Sequence, residues 1–389
     1  MQELYLKSGE DRRISRGHPW VYSNEIDVGR SPLKGLSPGS PVQLKNAAGR
    51  LLGTGYASPN SLICLRLLSR QAELPDSLLE PRLAQALAWR KRCIATPHYR
   101  WVNAEGDGLP GLIIDRYADA CVVQTSTIGM EQRLPQILAA IDALVGPDVL
   151  IVKNDAGLRQ MEGLPSYVEM HRGAVSQLQV VEGQAQWQVP AVDGQKTGWF
   201  YDQRDNRVRL AALYRGARVL DLYSYAGGWS IQAALAGATS VLAVDASAGA
   251  VEAVRVNAAL NGVADRVDAV RSDVSQFLTQ CDERYDWVIL DPPSLVPRRK
   301  DLPKAQNHYR LLNRLALGRV ADQGVFVSCS CSALLDEAAH LALIRAAARQ
   351  SHTALSLIGR GSLPVDHPVH TMLPDSAYLK CWYFRVSHH

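Results

Sequence analysis

Two short motifs in the C-terminal half hold residue types that do chemistry. ILDPPSL sets Asp291 after one apolar run, and VFVSCSCS sets Cys329 after another. Proline cannot continue a strand ladder, so Pro292 and Pro293 should push Asp291 out of a sheet edge. A carboxylate presented that way can hydrogen-bond the ring edge of a base. In enzymes that methylate exocyclic base nitrogens, a similar (D/N)PP is followed by an aromatic residue that stacks on the flipped base. Ser294 stands there in this chain, which turns the reading away from amino nitrogens. An isolated cysteine is more often a buried apolar side chain than a reagent. A strand-end position beside Asp-Pro-Pro reverses that weighting for Cys329. Ring carbon 5 of a pyrimidine is a poor nucleophile. A thiolate adding to carbon 6 makes carbon 5 enamine-like and able to attack a sulfonium methyl. Asp291 at ring N3 would stabilise the charge, and loss of the carbon 5 proton to a base would expel the thiol. Cys331 ranks second, because the chain should be turning into a helix there.

Upstream of these motifs three aspartates close consecutive strands. DLYSYAGGWS carries Asp221, Tyr223, Ser224 and Gly227, VLAVDAS carries Asp245, and RSD carries Asp273. The carboxyl edge of an open α/β sheet is where ligands bind. Gly227 lets backbone approach a ligand closely. Asp245 follows Asp221 by 24 residues, a spacing at which a carboxylate can accept both ribose hydroxyls of an adenosine. Asp273 can meet the adenine amino group. Any one of these alone is better read as a helix N-cap; three at one edge are not. The GxGxxG that cradles a pyrophosphate is missing, so a nicotinamide cofactor is disfavoured and S-adenosylmethionine is expected, with Asp291 also at its binding site. KTGWFYDQRDNR (Lys196–Arg207) precedes the first strand. Phe200 and Tyr201 could cover the adenosine, with Gln203 and Arg204 fixing its polar groups; Asp202 capping a helix is compatible with that.

Regular alternation of strand and helix positions these residues. From Val219 onward RVLDLYS, SVLAVDAS, RVDAVRSD, YDWVILDPP and GVFVSCSC read as strands separated by helices. Continuous apolar runs such as WVIL indicate strands buried on both faces of a parallel sheet, and right-handed crossovers make it doubly wound. The fold class is therefore α/β. Residues 1–72 alternate short strands with Gly and Pro, as a small β-barrel does. Residues 73–98 read as a helical linker, 99–190 as a central α+β domain, and 191–389 as the catalytic domain.

Bulk properties agree with this plan. The chain of 389 residues is 47% hydrophobic and 21% charged, and no apolar run is long enough to span a membrane. MQELYLKSGEDRR has no apolar signal-peptide core, so a cytoplasmic protein is expected. Seven scattered cysteines do not form a disulfide framework, and without CxxC or HExxH no metal is expected. Residues 1–100 hold 15 Lys+Arg against 8 Asp+Glu, or +7, whereas the whole chain carries +4. A basic front on a near-neutral body suits a polyanion.

Together the motifs resemble the ribosomal RNA large subunit methyltransferase I family, bacterial enzymes that make 5-methylcytosine in 23S rRNA. RRISRGHPWVYSNEI is similar to the family's N-terminal PUA RNA-binding barrel, and EGDGLPGLIIDRY to the start of its central domain. KTGWFYDQRDNR, DLYSYAGGWS, LDPPS, SCS and DHPV…YLKCWYFRV resemble its catalytic-domain landmarks. The resemblance implies Cys329 as nucleophile, Asp291 beside it, and Asp221, Gly227, Asp245, Asp273, Gln203 and Arg204 at the cofactor. It implies ribosomal RNA as partner, with Arg12, Arg13, Arg16, Lys34 and Arg50 as phosphate contacts, and it is compatible with a homodimer. Cys331 departs from the glycine of relatives, and Ser294 stands at a variable position. Other readings of the same residues are a methyltransferase acting at another RNA base, as in 5-methyluridine formation or at an exocyclic nitrogen, and a non-catalytic RNA-binding protein.

Overall fold

A computed structural model describes residues 1–75, 77–296 and 298–388. The chain divides into two compact units. The first comprises Met1–Leu178, Pro190–Trp199 and Val365–Pro374; the second comprises Gln179–Val189, Phe200–Pro364 and Asp375–His389.

The first unit begins with a five-stranded barrel of β1 (Gln2–Tyr5), β2 (Trp20–Tyr22), β3 (Pro41–Lys45), β4 (Leu51–Ala57) and β5 (Ile63–Ser69), with the short helix α1 (Asp11–Ser15) between β1 and β2. The strand order is β1-β3-β4-β5-β2. Alternation in PVQLK turns Val42 and Leu44 inward, where they pack with Leu4, Ile14, Val21 and Leu65. Helix α2 (Leu79–Cys93) leads to a second sheet of β6 (His98–Asn103), β7 (Leu112–Tyr117), β8 (Ala120–Thr125), β9 (Val149–Asn154) and β10 (Tyr167–Arg172), ordered β10-β9-β8-β7-β6. The one-turn helices α3 (Ile128–Glu131) and α5 (Leu158–Met161) flank α4 (Leu134–Leu144). Leu83 and Leu87 of α2 and Ile137 and Ile141 of α4 cover this sheet. Tyr56 of β4 joins the same core and donates to Pro110 O at 2.6 Å. Asp366, from the DHPV motif, belongs to this unit: it accepts from Arg100 N, while its carbonyl accepts from Arg90.

Most of the hairpin of β11 (Gln177–Glu182) and β12 (Ala185–Pro190) belongs to the second unit and is followed there by α6 (Arg204–Val208). Its sheet has seven strands: β13 (Arg218–Leu222), β14 (Ser240–Asp245), β15 (Val267–Arg271), β16 (Tyr285–Leu290), β17 (Val320–Ser330), β18 (Thr353–Gly361) and β19 (Lys380–His388). The order β15-β14-β13-β16-β17-β19-β18 gives the expected α/β architecture. Strands β13 to β17 are parallel, and β19 runs antiparallel to both β17 and β18. Helices α7 (Gly228–Leu235), α8 (Ala248–Leu260), α9 (Val274–Gln280), α10 (Leu302–Leu317) and α11 (Glu337–Gln350) make the crossovers. Leu220, Val288, Leu290 and Phe326 form one core with residues of α9, α10 and α11. The chain winds outward from β13 through β14 to β15, then returns to β16 and winds the other way. The order therefore reverses between β13 and β16, and a crevice opens at their carboxyl ends.

Candidate active site

Asp221 closes β13 and Asp291 follows β16, so both stand at that reversal. Asp221 is fully buried. Its Oδ2 accepts from Ser230 N at 3.1 Å and Ser230 Oγ at 2.6 Å, on the first turn of α7. Its Oδ1 has no partner among the described residues, and neither has the buried Ser224 Oγ. Burial, then the charge of Asp291, raises the Asp221 carboxyl to about 7, partly offset by the Ser230 hydrogen bonds. A ligand ammonium beside Oδ1 would satisfy this oxygen and reverse that shift. The turn between β13 and α7 is backbone-strained at Tyr223 and Tyr225, which take φ values of 65° and 48°, whereas Gly227 takes 80° without strain. Strain of this kind persists where surrounding structure enforces it, commonly at ligand sites. A Cβ on Gly228 would lie 2.7 Å from Arg207 Nε, so only glycine lets α7 begin this close to α6.

Asp245 ends β14 and accepts from Tyr225 N at 3.0 Å and Ser247 N at 2.9 Å. It thereby fixes the far side of the same turn. Asp273 is exposed and caps α9 by accepting from Gln276 N at 2.9 Å. The Phe200 and Tyr225 rings meet edge-on with centroids 5.3 Å apart. Arg204 lies over the Tyr201 ring, with its Nε 3.9 Å from Glu182. Arg207, its neighbour on α6, donates to both oxygens of the buried Glu182 and to Phe200 O.

Gln203 reaches the second half of the site. Its Nε2 lies 2.9 Å from both oxygens of Asp291, and its Oε1 accepts from Asn206 at 2.7 Å. Trp229 Nε1 donates to Asp291 Oδ2 at 3.0 Å. Burial raises the Asp291 pKa, opposed by the Trp229 and Gln203 hydrogen bonds. Leu290 pairs with Ser328, so Cys329 follows in the neighbouring strand. Cys329 is 1% exposed, and its thiol lies 3.2 Å from that of Cys381 across the β17–β19 ladder. Burial, Cys381 and the charge of Asp291 push the Cys329 thiol well up, while a hydrogen bond with Gln203 partly offsets them. Cys331 is half-buried, with Sγ 3.9 Å from Pro292 O.

The sequence reading missed Trp229, Asn206 and Cys381. Trp229 sits inside the quoted DLYSYAGGWS, and Cys381 inside YLKCWYFRV, but only the β17–β19 register puts Cys381 opposite Cys329. In the barrel, Arg12, Arg16, Lys34 and Arg50 are exposed. Arg13 is engaged otherwise: it donates to both oxygens of Glu25 at 2.7 Å and lies over the Tyr22 ring. Among the described residues no helix is long and apolar enough to cross a membrane.

Comparison with known proteins bears on both units. Residues 4–70 match the family model of a PUA-like domain, and residues 166–385 match that of an S-adenosylmethionine-dependent methyltransferase. The chain is 33% identical to ribosomal RNA large subunit methyltransferase I of Alteromonas mediterranea over 390 residues, covering 97% of each chain. It is 32% identical to the protein of that name in Shewanella denitrificans, covering 98% of this chain and 99% of the relative. Among solved structures, a putative S-adenosylmethionine-dependent methyltransferase from Streptococcus mutans superposes with a TM-score of 0.84 at 23% identity, covering 99% of this chain and all of that one. A putative methyltransferase in complex with SAH gives 0.81 at 23% identity, again covering 99% and 100%.

Proposed function

The chain belongs to the ribosomal RNA large subunit methyltransferase I family, and from that premise we propose that it forms 5-methylcytosine in large-subunit ribosomal RNA through a covalent adduct between Cys329 and carbon 6 of the base. One observation carries the chemistry: a buried thiol near the end of β17 stands beside a carboxylate with a raised pKa just after the neighbouring strand β16, which borders the sheet's reversal point.

Bound S-adenosylmethionine supplies a methyl group made electrophilic by its sulfonium. The residues assigned to holding it are Phe200, Gln203, Arg204, Asp221, Tyr223, Ser224, Gly227, Asp245, Asp273 and Asp291. The orphaned Asp221 Oδ1 fits its ammonium, and the Asp245 carboxylate fits its ribose hydroxyls. The Cys329 thiol passes its proton to a base as its sulfur bonds to carbon 6, so that carbon 5 gains enamine character. Asp291, with its pKa raised, can hold a proton for ring N3, and Gln203 orients that carboxyl. With the methyl group on carbon 5, loss of the carbon 5 proton to a base re-forms the ring double bond and expels the Cys329 thiolate, and the proton at ring N3 returns to Asp291. The exposed arginines and lysine of the PUA-like barrel supply phosphate contacts.

The test is Cys329→Ala beside Cys331→Ala, with tritiated methyl transfer to unmethylated large-subunit ribosomal RNA and calorimetric cofactor binding as readouts. Cys329→Ala should abolish transfer and bind S-adenosylmethionine as the wild type does, while Cys331→Ala stays active. Wild-type turnover in Cys329→Ala would overturn the adduct mechanism. Loss in Cys331→Ala alone would move the nucleophile there, the thiol that is more exposed.

A further inference from the structure

The two strand-end motifs face a mechanical problem. The β16–β17 ladder ends at Leu290 and Ser328. Beyond that pair, ladder hydrogen bonds no longer join the Asp291 loop to the strand carrying Cys329, although the proposed chemistry needs both groups in fixed relation. Within β17 the alternation of SCS sets Ser328 and Ser330 on one face and Cys329 on the other, and Ser332 follows just past the strand end. All three serines are fully buried. Buried hydroxyls are tolerated only when hydrogen-bonded, and each of these has a partner. Ser328 donates to Asn313 Oδ1 at 2.7 Å. Ser330 donates to Tyr309 Oη at 3.1 Å, and Ser332 Oγ lies 2.9 Å from the same oxygen. Ser332 Oγ is also 3.1 Å from Ser294 Oγ, on the residue after Asp-Pro-Pro.

A phenol hydroxyl donates one hydrogen bond and accepts two. Ser330 fills one acceptor position of Tyr309, and Ser332 bonds the same hydroxyl. The Tyr309 hydroxyl is thereby linked through Ser332 to Ser294. The phenol ring, on the long helix α10, is fully buried and meets the His340 ring edge-on at 5.8 Å. Asn313, one turn on, donates to Tyr309 O at 2.7 Å.

We propose that Tyr309 is a positioning residue for the methyl-transfer reaction: its hydroxyl ties the Asp-Pro-Pro-Ser loop to the Ser-Cys-Ser strand end where the ladder stops. It touches neither reacting group. It holds the separation of Asp291 and Cys329 by bonding Ser330, the neighbour of Cys329, and Ser332, which carries the link to Ser294 in the loop after Asp291. The inference rests on the catalytic reading of Cys329 and Asp291.

Tyr309→Phe removes only the hydroxyl, and Ser294→Ala, at an exposed residue, removes only the outer link. Both are assayed as full chains with unmethylated large-subunit ribosomal RNA, beside Cys329→Ala. Misplacing a reacting group by about 1 Å costs on the order of a hundredfold in rate. Tyr309→Phe should therefore lower kcat by about tenfold or more, with KM for RNA and the calorimetric Kd for S-adenosylmethionine unchanged. Ser294→Ala should show a smaller loss with the same split, and the double variant should lose no more than Tyr309→Phe, because both act through one chain of bonds. Wild-type kcat in Tyr309→Phe, with Cys329→Ala inactive, overturns the inference and spares the mechanism. A parallel loss of kcat, cofactor affinity and melting temperature in Tyr309→Phe, with Ser294→Ala silent, overturns it in favour of simple core packing. Full turnover in Cys329→Ala overturns the mechanism and this inference with it.

Discussion

The Asp221 carboxyl is the residue where burial and function conflict most openly. Its pKa rises from 3.8 to about 7 because it is buried with only one oxygen satisfied. Between those values the native chain holds a proton that the unfolded chain has lost. Its contribution to stability is therefore full below pH 4 and is lost as pH rises through 7. The loss is on the order of 2–4 kcal/mol by pH 8. Asp221→Asn keeps an oxygen acceptor for Ser230 and removes the titration. In cofactor-free protein the variant should gain on the wild type by most of that amount between pH 5 and pH 8, as read by denaturant unfolding. A difference independent of pH would mean that the carboxyl is ionised at no cost in the fold.

At the scale of elements, the start of α7 decides how the site is built. Gly228 permits the helix to begin against Arg207, and Arg207 is in turn clamped by Glu182 of β11. Gly228→Ala must displace a guanidinium held on three hydrogen bonds, or tilt the helix. Overpacking of this kind costs about 1–3 kcal/mol. It should also weaken S-adenosylmethionine binding, since Trp229 and Ser230 lie on that turn and contact Asp291 and Asp221. Calorimetry and thermal melting on the same sample check both effects; unaltered affinity in a destabilised variant would detach the turn from the cofactor site. Sequence pattern located this element well. Apolar runs and glycines give the strand, the turn and the helix, because each depends on neighbours in sequence. That Asp273 caps α9 through Gln276 N follows from the same local logic, and it agrees with the plain helix-cap reading of a strand-end aspartate.

At the scale of the molecule, charge is concentrated in the first 100 residues. Arg12, Arg16, Lys34 and Arg50 are exposed on the PUA-like barrel, whereas Arg13 is neutralised by Glu25. Counterion release makes RNA affinity fall with salt by roughly 0.7–0.9 logarithmic units per phosphate contact. Replacing any of the four exposed residues by glutamine should weaken RNA binding and flatten the salt dependence by about one unit at most. Arg13→Gln should instead destabilise the barrel, because Glu25 loses its partner. Filter binding across a salt series, with melting curves, separates the two classes; equal effects of Arg13 and Arg16 on the salt slope would contradict this division.

The sequence by itself determined the α/β class, the parallel run from β13 to β17, the barrel in front, and the residues at strand ends. Those features follow from hydrophobic periodicity, turn residues and net charge, all of which act over a few neighbours. Tertiary structure alone decided the partners. Antiparallel β19 enters between β17 and β18 and sets Cys381 against Cys329. Gln203 and Trp229, which converge on Asp291, are separated from it by 88 and 62 residues. Strand order and register bring such groups together, and neither is encoded in local spacing. The two motifs that first drew attention are fastened to one another by a tyrosine on a third element, which only the fold could select.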